Sequence, residues 1–404
     1  MRLTISRGFI VFLSLTILYG GASLLGLNRD FLDSGKTDIL RRLLIGGGLA
    51  GLLFCFLRPF RTASVVKKHP KKPSYEGALL AWLAFSLVTV FTSIVKAEWG
   101  LLAGGLWFLF GVPFFFFLVI PFVTRSMPPD VFLKAFIVGH LPYLATFYYS
   151  PWNFNVSAYF GIWQNPNNFG IFSATLMAGT VYFLHRAVEK NKPVAGLFWG
   201  AMTLLFFILI LSSGSRTSLV AGVFLAGLLI VMSRLRFWVK ISLFLVSLLG
   251  WQLILYSSLP IFSPVQIKFS RDTHSAAILS GREKIWEEII RGASLVGNEQ
   301  DYFNTYFGIG GHNSFIEVLG VYGIIACFMI ILFFCVSLGS FVARFRFFDR
   351  CFQFVFVEVF FLFTILSCGE GMLGALGRGI QLLFLTMIGI LIYKLRNKEE
   401  IFNG

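Results

Sequence analysis

Long apolar runs recur along almost the whole chain and are separated by short polar or basic segments. A run of roughly 20 apolar residues lets a helix cross the hydrocarbon core of a bilayer. The pattern predicts twelve spans, at approximately 8–26, 39–57, 77–95, 100–123, 131–148, 168–186, 194–212, 217–233, 241–259, 314–342, 351–367 and 379–393. We therefore expect a single all-α, polytopic transmembrane domain over residues 1–404, with a large hydrophilic loop at 260–313.

The composition supports a membrane protein. Hydrophobic residues make up 57% of the chain and charged residues 13%, whereas soluble domains carry about 25% charged residues. The first apolar run lacks a small-residue cleavage site and precedes further spans, so we expect a retained helix rather than a signal peptide. The five cysteines mostly fall in apolar runs without metal-ligand spacing, which favours a packing role.

The charge balance, 34 Lys and Arg against 19 acidic residues, could suggest a nucleic-acid partner. Membrane topology explains it better. If the N-terminus is cytoplasmic, most cations fall in cytoplasmic segments, including 58–72, 234–240 and 344–350. Cytoplasmic loops of membrane proteins show this bias. We expect both termini in the cytoplasm and no nucleic-acid partner.

Two segments on the predicted outer side are distinctive. Residues 149–168 are aromatic, rich in Asn and uncharged, and residues 260–311 form the longest hydrophilic stretch. Long loops tend to be functional or disordered. Ser280 and Glu283 have the spacing of a capping box. An apolar stripe at helical spacing follows and predicts a short amphipathic helix that ends near Gly292; the stripe is Ile285, Trp286, Ile289 and Ile290.

Two arginines lie on the predicted outer side, where cations are few. Arg216, in SSGSRTSL, lies between two apolar runs, where a charge is costly unless it is paired or lines a polar cavity. The alternative is a side chain that merely extends to the membrane interface. Arg282 is expected in the first turn of the amphipathic helix, where the helix dipole mildly disfavours a cation. The alternative is that Arg282 is an ordinary solvent-exposed charge in a loop.

The third candidate is His312, which follows the glycine-rich segment 308–311 and precedes a long apolar run. Ser314 and Glu317 form a second potential capping box, which predicts His312 just outside the helix start. An imidazole can take a proton from a hydroxyl near neutral pH. The alternative is an ordinary packing or surface histidine. Glu317 is expected to cap the backbone rather than to catalyse.

Several chemistries lack their sequence signatures. The chain has no G-x-x-x-x-G-K-[ST], no H-E-x-x-H and no Cys-x-x-Cys motif, and no D-x-D pair lies on the predicted outer side. We expect neither a cofactor nor a metal ion. Arginine side chains would then have to neutralise any phosphate leaving group, which their planar, permanently charged forks suit.

Four short segments resemble the O-antigen ligase and polysaccharide polymerase family of bacterial inner-membrane proteins. In the family's order, they are WQNPNNFG (163–170), SGSRTSLVAG (213–222), SGREKIW (280–286) and HNSFIEVLGVYG (312–323). The order of the spans and the large loop before His312 extend the resemblance over most of the chain. The loop, of roughly fifty residues, is modest for the family, whose loops vary in length.

The resemblance implies a metal-independent, inverting glycosyltransferase whose donor is a glycan on undecaprenyl pyrophosphate. It assigns Arg216 and Arg282 to the pyrophosphate and His312 to the acceptor hydroxyl. Further residues of the matching segments are expected to contact the glycan: Asn165, Asn167, Asn313 and Trp163. The aromatic residues Trp152, Phe154 and Tyr159 could stack on sugars. A re-entrant or interfacial loop without a substrate role is the alternative for this segment.

The acceptor distinguishes two activities. A second lipid-linked repeat unit makes the enzyme a polymerase, which the uncharged Asn-Pro-Asn loop favours, and a lipid A core sugar makes it a ligase. The resemblance implies a bacterial cytoplasmic membrane protein with an extracytoplasmic active site, membrane lipids as partners and a chain-length regulator protein as a candidate partner.

A lipid-linked oligosaccharide transporter is the alternative from another class. It would carry charges throughout its spans, where this chain has mainly Lys134, Glu317 and Glu358. A structural scaffold would leave the outer arginines without a role.

Overall fold

A computed structural model describes residues 6–25, 27, 34–57, 76–151, 158–233, 236–274, 282–298, 302–308, 310–374 and 378–396. These residues are overwhelmingly helical, and an isolated antiparallel bridge among them joins Leu27 to Trp163. The expected all-α class is confirmed. Some predicted features lie outside the described residues: the basic segment 58–72, the start of 234–240, Trp152, Phe154, Ser280 and position 309 of the glycine-rich segment.

The helices are labelled in chain order. They are α1 (Arg7–Ala22), α2 (Ser34–Leu57), α3 (Glu76–Val95), α4 (Trp99–Thr124), α5 (Asp130–Tyr149), α6 (Pro166–Glu189), α7 (Pro193–Ser213), α8 (Arg216–Met232), α9 (Phe237–Tyr256), α10 (Ser263–His274), α11 (Arg282–Arg291), α12 (Tyr302–Phe307), α13 (Ser314–Val342), α14 (Arg350–Gly369) and α15 (Gly379–Arg396). Helix α4 includes two π-helical stretches, and a 3-10 turn interrupts α5.

Ten helices within the described residues are long and apolar enough to cross a bilayer. The remaining two predicted spans, 8–26 and 217–233, fall on the shorter apolar helices α1 and α8, of 16 and 17 residues. Each predicted span therefore coincides with an apolar helix. Because an isolated helix satisfies its own backbone hydrogen bonds, it is the element that can enter lipid. The molecule is a multi-pass membrane protein.

The helices differ in how deeply they are buried. Helices α6, α14 and α15 are the most enclosed, whereas α9 lies at the periphery. Large apolar side chains on α9 point away from the protein, among them Trp238, Phe244 and Leu249. A helix that is apolar on all sides and exposed suits contact with lipid tails. The interior is rich in aromatic pairs, such as Phe334 with Phe384, whose ring centroids lie 5.1 Å apart.

The hydrophilic loop at 260–313 is largely helical where it is described. The predicted amphipathic helix is present as α11, and it ends at Arg291, one residue before Gly292. Of its apolar stripe, Ile289 is buried against the protein and Ile290 is exposed. Helices α10 and α12, which the sequence pattern did not predict, flank it. The loop is thus a helical layer packed on one end of the bundle.

Helix α13 is interrupted at Gly323, whose φ of 88° and ψ of −178° are not helical. The loop between α11 and α12 fills the interruption. Asn298 N donates to Gly320 O at 2.9 Å, and Ile324 N donates to Ser294 O at 3.0 Å. The backbone groups that lose their intrahelical hydrogen bonds at the kink therefore form hydrogen bonds with the loop. This junction fixes the loop to the membrane helix.

Gly323→Ala is expected to destabilise the protein by about 2 kcal/mol, since a non-glycine residue is strained at this backbone conformation. The new Cβ would also lie 2.4 Å from Gly297 N and 2.4 Å from Leu295 O. The matched control is Gly339→Ala in the same helix, where a Cβ meets nothing within 4 Å and alanine favours the helix. Thermal stability in detergent measures both variants. An unchanged melting temperature for Gly323→Ala would contradict the prediction.

Candidate functional site

One end of the bundle brings together several helix termini with polar side chains. The first residues of α6, α8, α13 and α15 meet the end of α14 there, and α11 lies beside them. We call this region the site end. All three principal candidates from the sequence lie in it: Arg216 at the start of α8, Arg282 at the start of α11, and His312 directly before α13.

A carboxylate that the sequence analysis did not select, Glu370, lies at the centre. Its Oε2 is 3.2 Å from His312 Nδ1, and its Oε1 is 3.9 Å from Arg282 Nη2. Asn167 Nδ2 donates to Oε1 at 2.7 Å. Only 6% of the residue is exposed. A buried carboxylate needs such partners, and Glu370 in turn holds three side chains from different parts of the chain in fixed positions.

The His312 backbone is in the left-handed region, with φ at 49°. Its N–H donates to Glu317 Oε1 at 3.2 Å, so Glu317 has the backbone role expected of it. A non-glycine residue in this region is uncommon, and such strain is concentrated at functional sites. One third of the side chain, 33%, is exposed. The imidazole is thus held at Nδ1 by Glu370 and is partly exposed.

The hydrogen-bond partner also assigns the tautomer of His312. An ionised carboxylate only accepts hydrogen bonds, so Nδ1 must carry the hydrogen directed at Glu370. In the neutral imidazole the lone pair is then on Nε2. This nitrogen can accept a proton, and the nearby carboxylate stabilises the cation that results.

The start of α13 differs from the prediction, because its N-cap is Asn313 and not Ser314. Asn313 Oδ1 accepts from Phe315 N at 2.9 Å, while its Nδ2 donates to Cys368 O at 2.9 Å. Ser314 Oγ is engaged elsewhere, donating to Glu370 O at 3.1 Å and accepting from the Met372 backbone N. Asparagine is among the strongest N-caps. The predicted glycan contact Asn313 therefore has its amide occupied by the fold.

Arg282 approaches Glu370 from α11, and Arg216, at the start of α8, lies near Arg282. Arg216 interacts electrostatically with Arg282 and with Glu283, and Arg282 Nη1 donates to Gly369 O at 3.1 Å. Close packing of α8 on α14 depends on Gly369, because a Cβ there would lie 2.0 Å from Thr217 Oγ1. Two guanidinium groups held near one another repel, and an anion between them removes that repulsion.

Helix α11 is fixed relative to His312 by Trp286. The indole Nε1 donates to Gly311 O at 2.8 Å, directly before the histidine. The predicted apolar stripe therefore has a positioning role in addition to packing. This hydrogen bond therefore fixes the helix that carries Arg282 relative to the segment that carries His312.

The other predicted contacts have structural partners. Asn165 is the N-cap of α6 and accepts from Asn168 N at 2.9 Å, and Asn167 binds Glu370. Trp163 is 3% exposed. It packs between Tyr143 and Phe172, at centroid distances of 5.5 and 5.0 Å. The Trp163 ring is therefore buried among aromatic neighbours, because the bridge to Leu27 draws this loop into the bundle, and its expected contact with the glycan stays a prediction.

A third arginine, Arg378, was also not selected from the sequence. It precedes α15 and interacts electrostatically with Glu370 and Glu317. Burial lowers the pKa of its guanidinium, and the two carboxylates act in the opposite direction. The sequence signal for Arg378 and Glu370 was their position between two predicted spans on the predicted outer side, the same criterion that selected Arg216.

The site end thus contains arginines, glutamates and a histidine. Within the described residues, no group of three or more His, Cys, Asp and Glu side chains could hold a metal ion. No protein-family model matches the chain, and no curated protein matches it significantly. What the site can do follows from its own residues: it can bind an anion such as a diphosphate, and it can accept a proton at His312 Nε2.

Proposed function

We propose that the protein is a membrane glycosyltransferase of the polysaccharide-polymerase type. It joins undecaprenyl-pyrophosphate-linked oligosaccharide repeat units at the outer face of a bacterial cytoplasmic membrane. The observation that carries the proposal is the pairing of Arg282 and His312 with Glu370, with Arg216 near Arg282, at one end of a membrane-embedded bundle. The motif resemblance supplies the substrate class, and the side chains supply the chemistry that this substrate requires.

The arginines handle the leaving group. As the bond between the anomeric carbon and the phosphate oxygen breaks, the bonding electrons pass to the diphosphate, which gains negative charge. Arg282, already held by the Gly369 carbonyl, and Arg216, at the start of α8, bind these oxygens. Preorganised cations of this kind stabilise a transition state more than its ground state, because the charge that they bind is still growing.

His312 handles the acceptor. The acceptor hydroxyl oxygen attacks the anomeric carbon from the face opposite the diphosphate and forms the new glycosidic bond with inversion. The hydroxyl proton passes to His312 Nε2, and Glu370 stabilises the resulting imidazolium through Nδ1. The proton leaves to solvent in the next step, which restores the neutral imidazole. The partial exposure of the side chain makes this exchange feasible.

The distribution of charge favours an enzyme over a conduit. The ion pairs of the described residues lie near helix ends, such as Arg282 with Glu370, Arg186 with Glu189 and Lys134 with Asp130, whereas a lipid-linked oligosaccharide transporter needs polar groups along a passage. Glu358 is the clear exception. It is fully buried in α14, and neither carboxylate oxygen has a hydrogen-bond partner among the described residues. One isolated carboxylate does not line a passage.

Purified protein in liposomes with an undecaprenyl-pyrophosphate glycan tests the proposal. We expect chain growth from this substrate alone, with an unchanged rate in EDTA. Transfer that requires added lipid A core would instead make the protein a ligase. Movement of the lipid-linked glycan between leaflets without any new glycosidic bond would overturn the enzyme proposal in favour of a transporter.

His312→Gln is expected to lower the transfer rate by roughly 100-fold, the lower range for loss of a general base. Glutamine retains polar contacts but cannot take the hydroxyl proton. Binding of the donor lipid, measured separately by equilibrium binding in detergent, is expected to stay within about twofold of wild type, since the arginines remain. Wild-type glycan growth in this variant would remove the base from the mechanism.

A further inference from the structure

A cavity lies at the site end, on the side of Arg378. It is partly open and has a volume of about 30 Å³. Its walls come from the segment after α1 and from α5, α6 and the start of α15, with Trp163 between them. The lining residues whose side chains can form hydrogen bonds are Ser23, His140, Trp163, Asn168, Thr175 and Arg378. The roles proposed for Arg216, Arg282 and His312 do not use this cavity.

Two residues of the wall present hydrogen-bond donors without acceptors. Arg378 Nε and Trp163 Nε1 are both buried, and neither has a hydrogen-bond partner among the described residues. Both groups can only donate. Buried donors are normally paired, so an occupant that completes them must bring acceptor oxygens. An indole N–H placed in an otherwise aromatic environment and a guanidinium in the same wall indicate a ligand with localised negative charge.

Several of the remaining polar groups are already hydrogen-bonded to one another or to the backbone. His140 has both ring nitrogens engaged, Nδ1 with Phe136 O at 2.6 Å and Nε2 with Ser23 Oγ at 2.5 Å. No carboxylate is among the lining residues. Glu370 and Glu317 interact with Arg378 from outside this wall. The cavity is therefore lined by one cationic side chain, that of Arg378, and by no acidic side chain.

We propose that this cavity binds an anionic oxygen group, a phosphate or a carboxylate, of the acceptor substrate. Arg378 links the cavity to Glu370, which Arg282 approaches from α11 with Arg216 nearby. Donor and acceptor would then lie on different sides of the His312–Glu370 pair. Assignment to the acceptor rests on the proposed function, whereas anion binding rests on the cavity itself.

Fluorine NMR of protein labelled with 5-fluorotryptophan, in nanodiscs, tests the site without any turnover. The Trp163 resonance is identified by its loss in Trp163→Phe, which keeps an aromatic ring and removes the N–H. Methyl phosphate and glucuronate are titrated separately. We expect one of them to shift this resonance saturably. The Trp82 resonance serves as the internal control, because its Nε1 already donates to Phe108 O at 2.8 Å.

Arg378→Met is expected to weaken the anion titration at least tenfold, and Arg378→Lys, which keeps the charge, to weaken it less. Arg216→Met with Arg282→Met is expected to leave it unchanged. A shift with methyl phosphate identifies a phosphate ligand, and a shift with glucuronate identifies an acidic sugar. A wild-type Trp163 resonance that neither anion moves would overturn the site, as would an equal titration in Arg378→Met.

The two proposals fail separately. Saturable anion binding in a protein that shows no glycosyl transfer in liposomes would support the anion site and overturn its assignment to an acceptor. Glycosyl transfer with a Trp163 resonance that does not respond would leave the enzyme proposal intact and remove the cavity from substrate binding.

Discussion

Replacing Arg216 and Arg282 together by lysine is expected to lower the rate of glycosyl transfer by roughly 1,000-fold or more, although the charge is conserved. Loss of a single preorganised donor to a developing oxyanion typically costs 10²- to 10³-fold. Lysine is a point charge on a flexible stem and cannot form the two parallel bonds of a guanidinium fork. Arg282 would also lose its bond to Gly369 O.

Arg291→Lys is the matched control for this change. Arg291 ends the same helix, α11, but its side chain is 76% exposed and its partner is Glu287. We expect wild-type transfer from this variant, measured as the initial rate in liposomes. If the double lysine variant kept more than a tenth of the wild-type rate, charge alone would suffice, and bidentate binding would have no part in the mechanism.

Hydropathy was sufficient to predict the membrane helices, and the reason is physical. A bilayer leaves the backbone no partner outside its own helix, so length and apolarity largely determine which segments cross. The kink at Gly323 and the helices α10 and α12 were not predictable in this way. The kink persists because the loop at 294–298 supplies its backbone partners, and that loop is distant in sequence from most of α13.

Local signals failed where a tertiary contact decided between neighbours. Asn313 and Ser314 are both good N-caps, and the sequence favoured Ser314 because Glu317 follows three residues later. The Ser314 hydroxyl is used instead by Glu370 O and the Met372 backbone N. Trp163 illustrates the same limit. An aromatic residue in a polar loop suggests a surface, but its pairing with Leu27 buries it.

The three principal site residues could be selected from sequence because each breaks the charge pattern of a membrane protein. Their spatial relationship could not. Arg282, His312 and Glu370 are separated by tens of residues, and only the fold brings the end of α14 against the starts of α11 and α13. A glutamate after a membrane helix is usually an interfacial charge. Its burial and its three partners distinguish Glu370.

Glu370→Gln is expected to reduce transfer by about 10³- to 10⁴-fold, more than the loss of His312 alone. The substitution keeps the shape, and the amide oxygen can still accept from Asn167. The amide nitrogen then faces His312 Nδ1, and a donor opposite a donor favours the tautomer with hydrogen on Nε2. In the Ser-His-Asp triad, replacing the carboxylate beside the catalytic histidine with an amide gives the wrong tautomer and lowers the turnover rate by about 10⁴-fold.

Arg282 loses its counter-charge in the same variant, so both halves of the mechanism are affected, which is why the expected loss exceeds that of His312→Gln. Glu287→Gln, on the exposed side of α11, is the control, and we expect wild-type transfer from it. Melting temperatures of the two variants separate a catalytic loss from unfolding. A Glu370→Gln protein that retained more than a tenth of wild-type activity would show that the carboxylate holds the fold together without orienting the histidine.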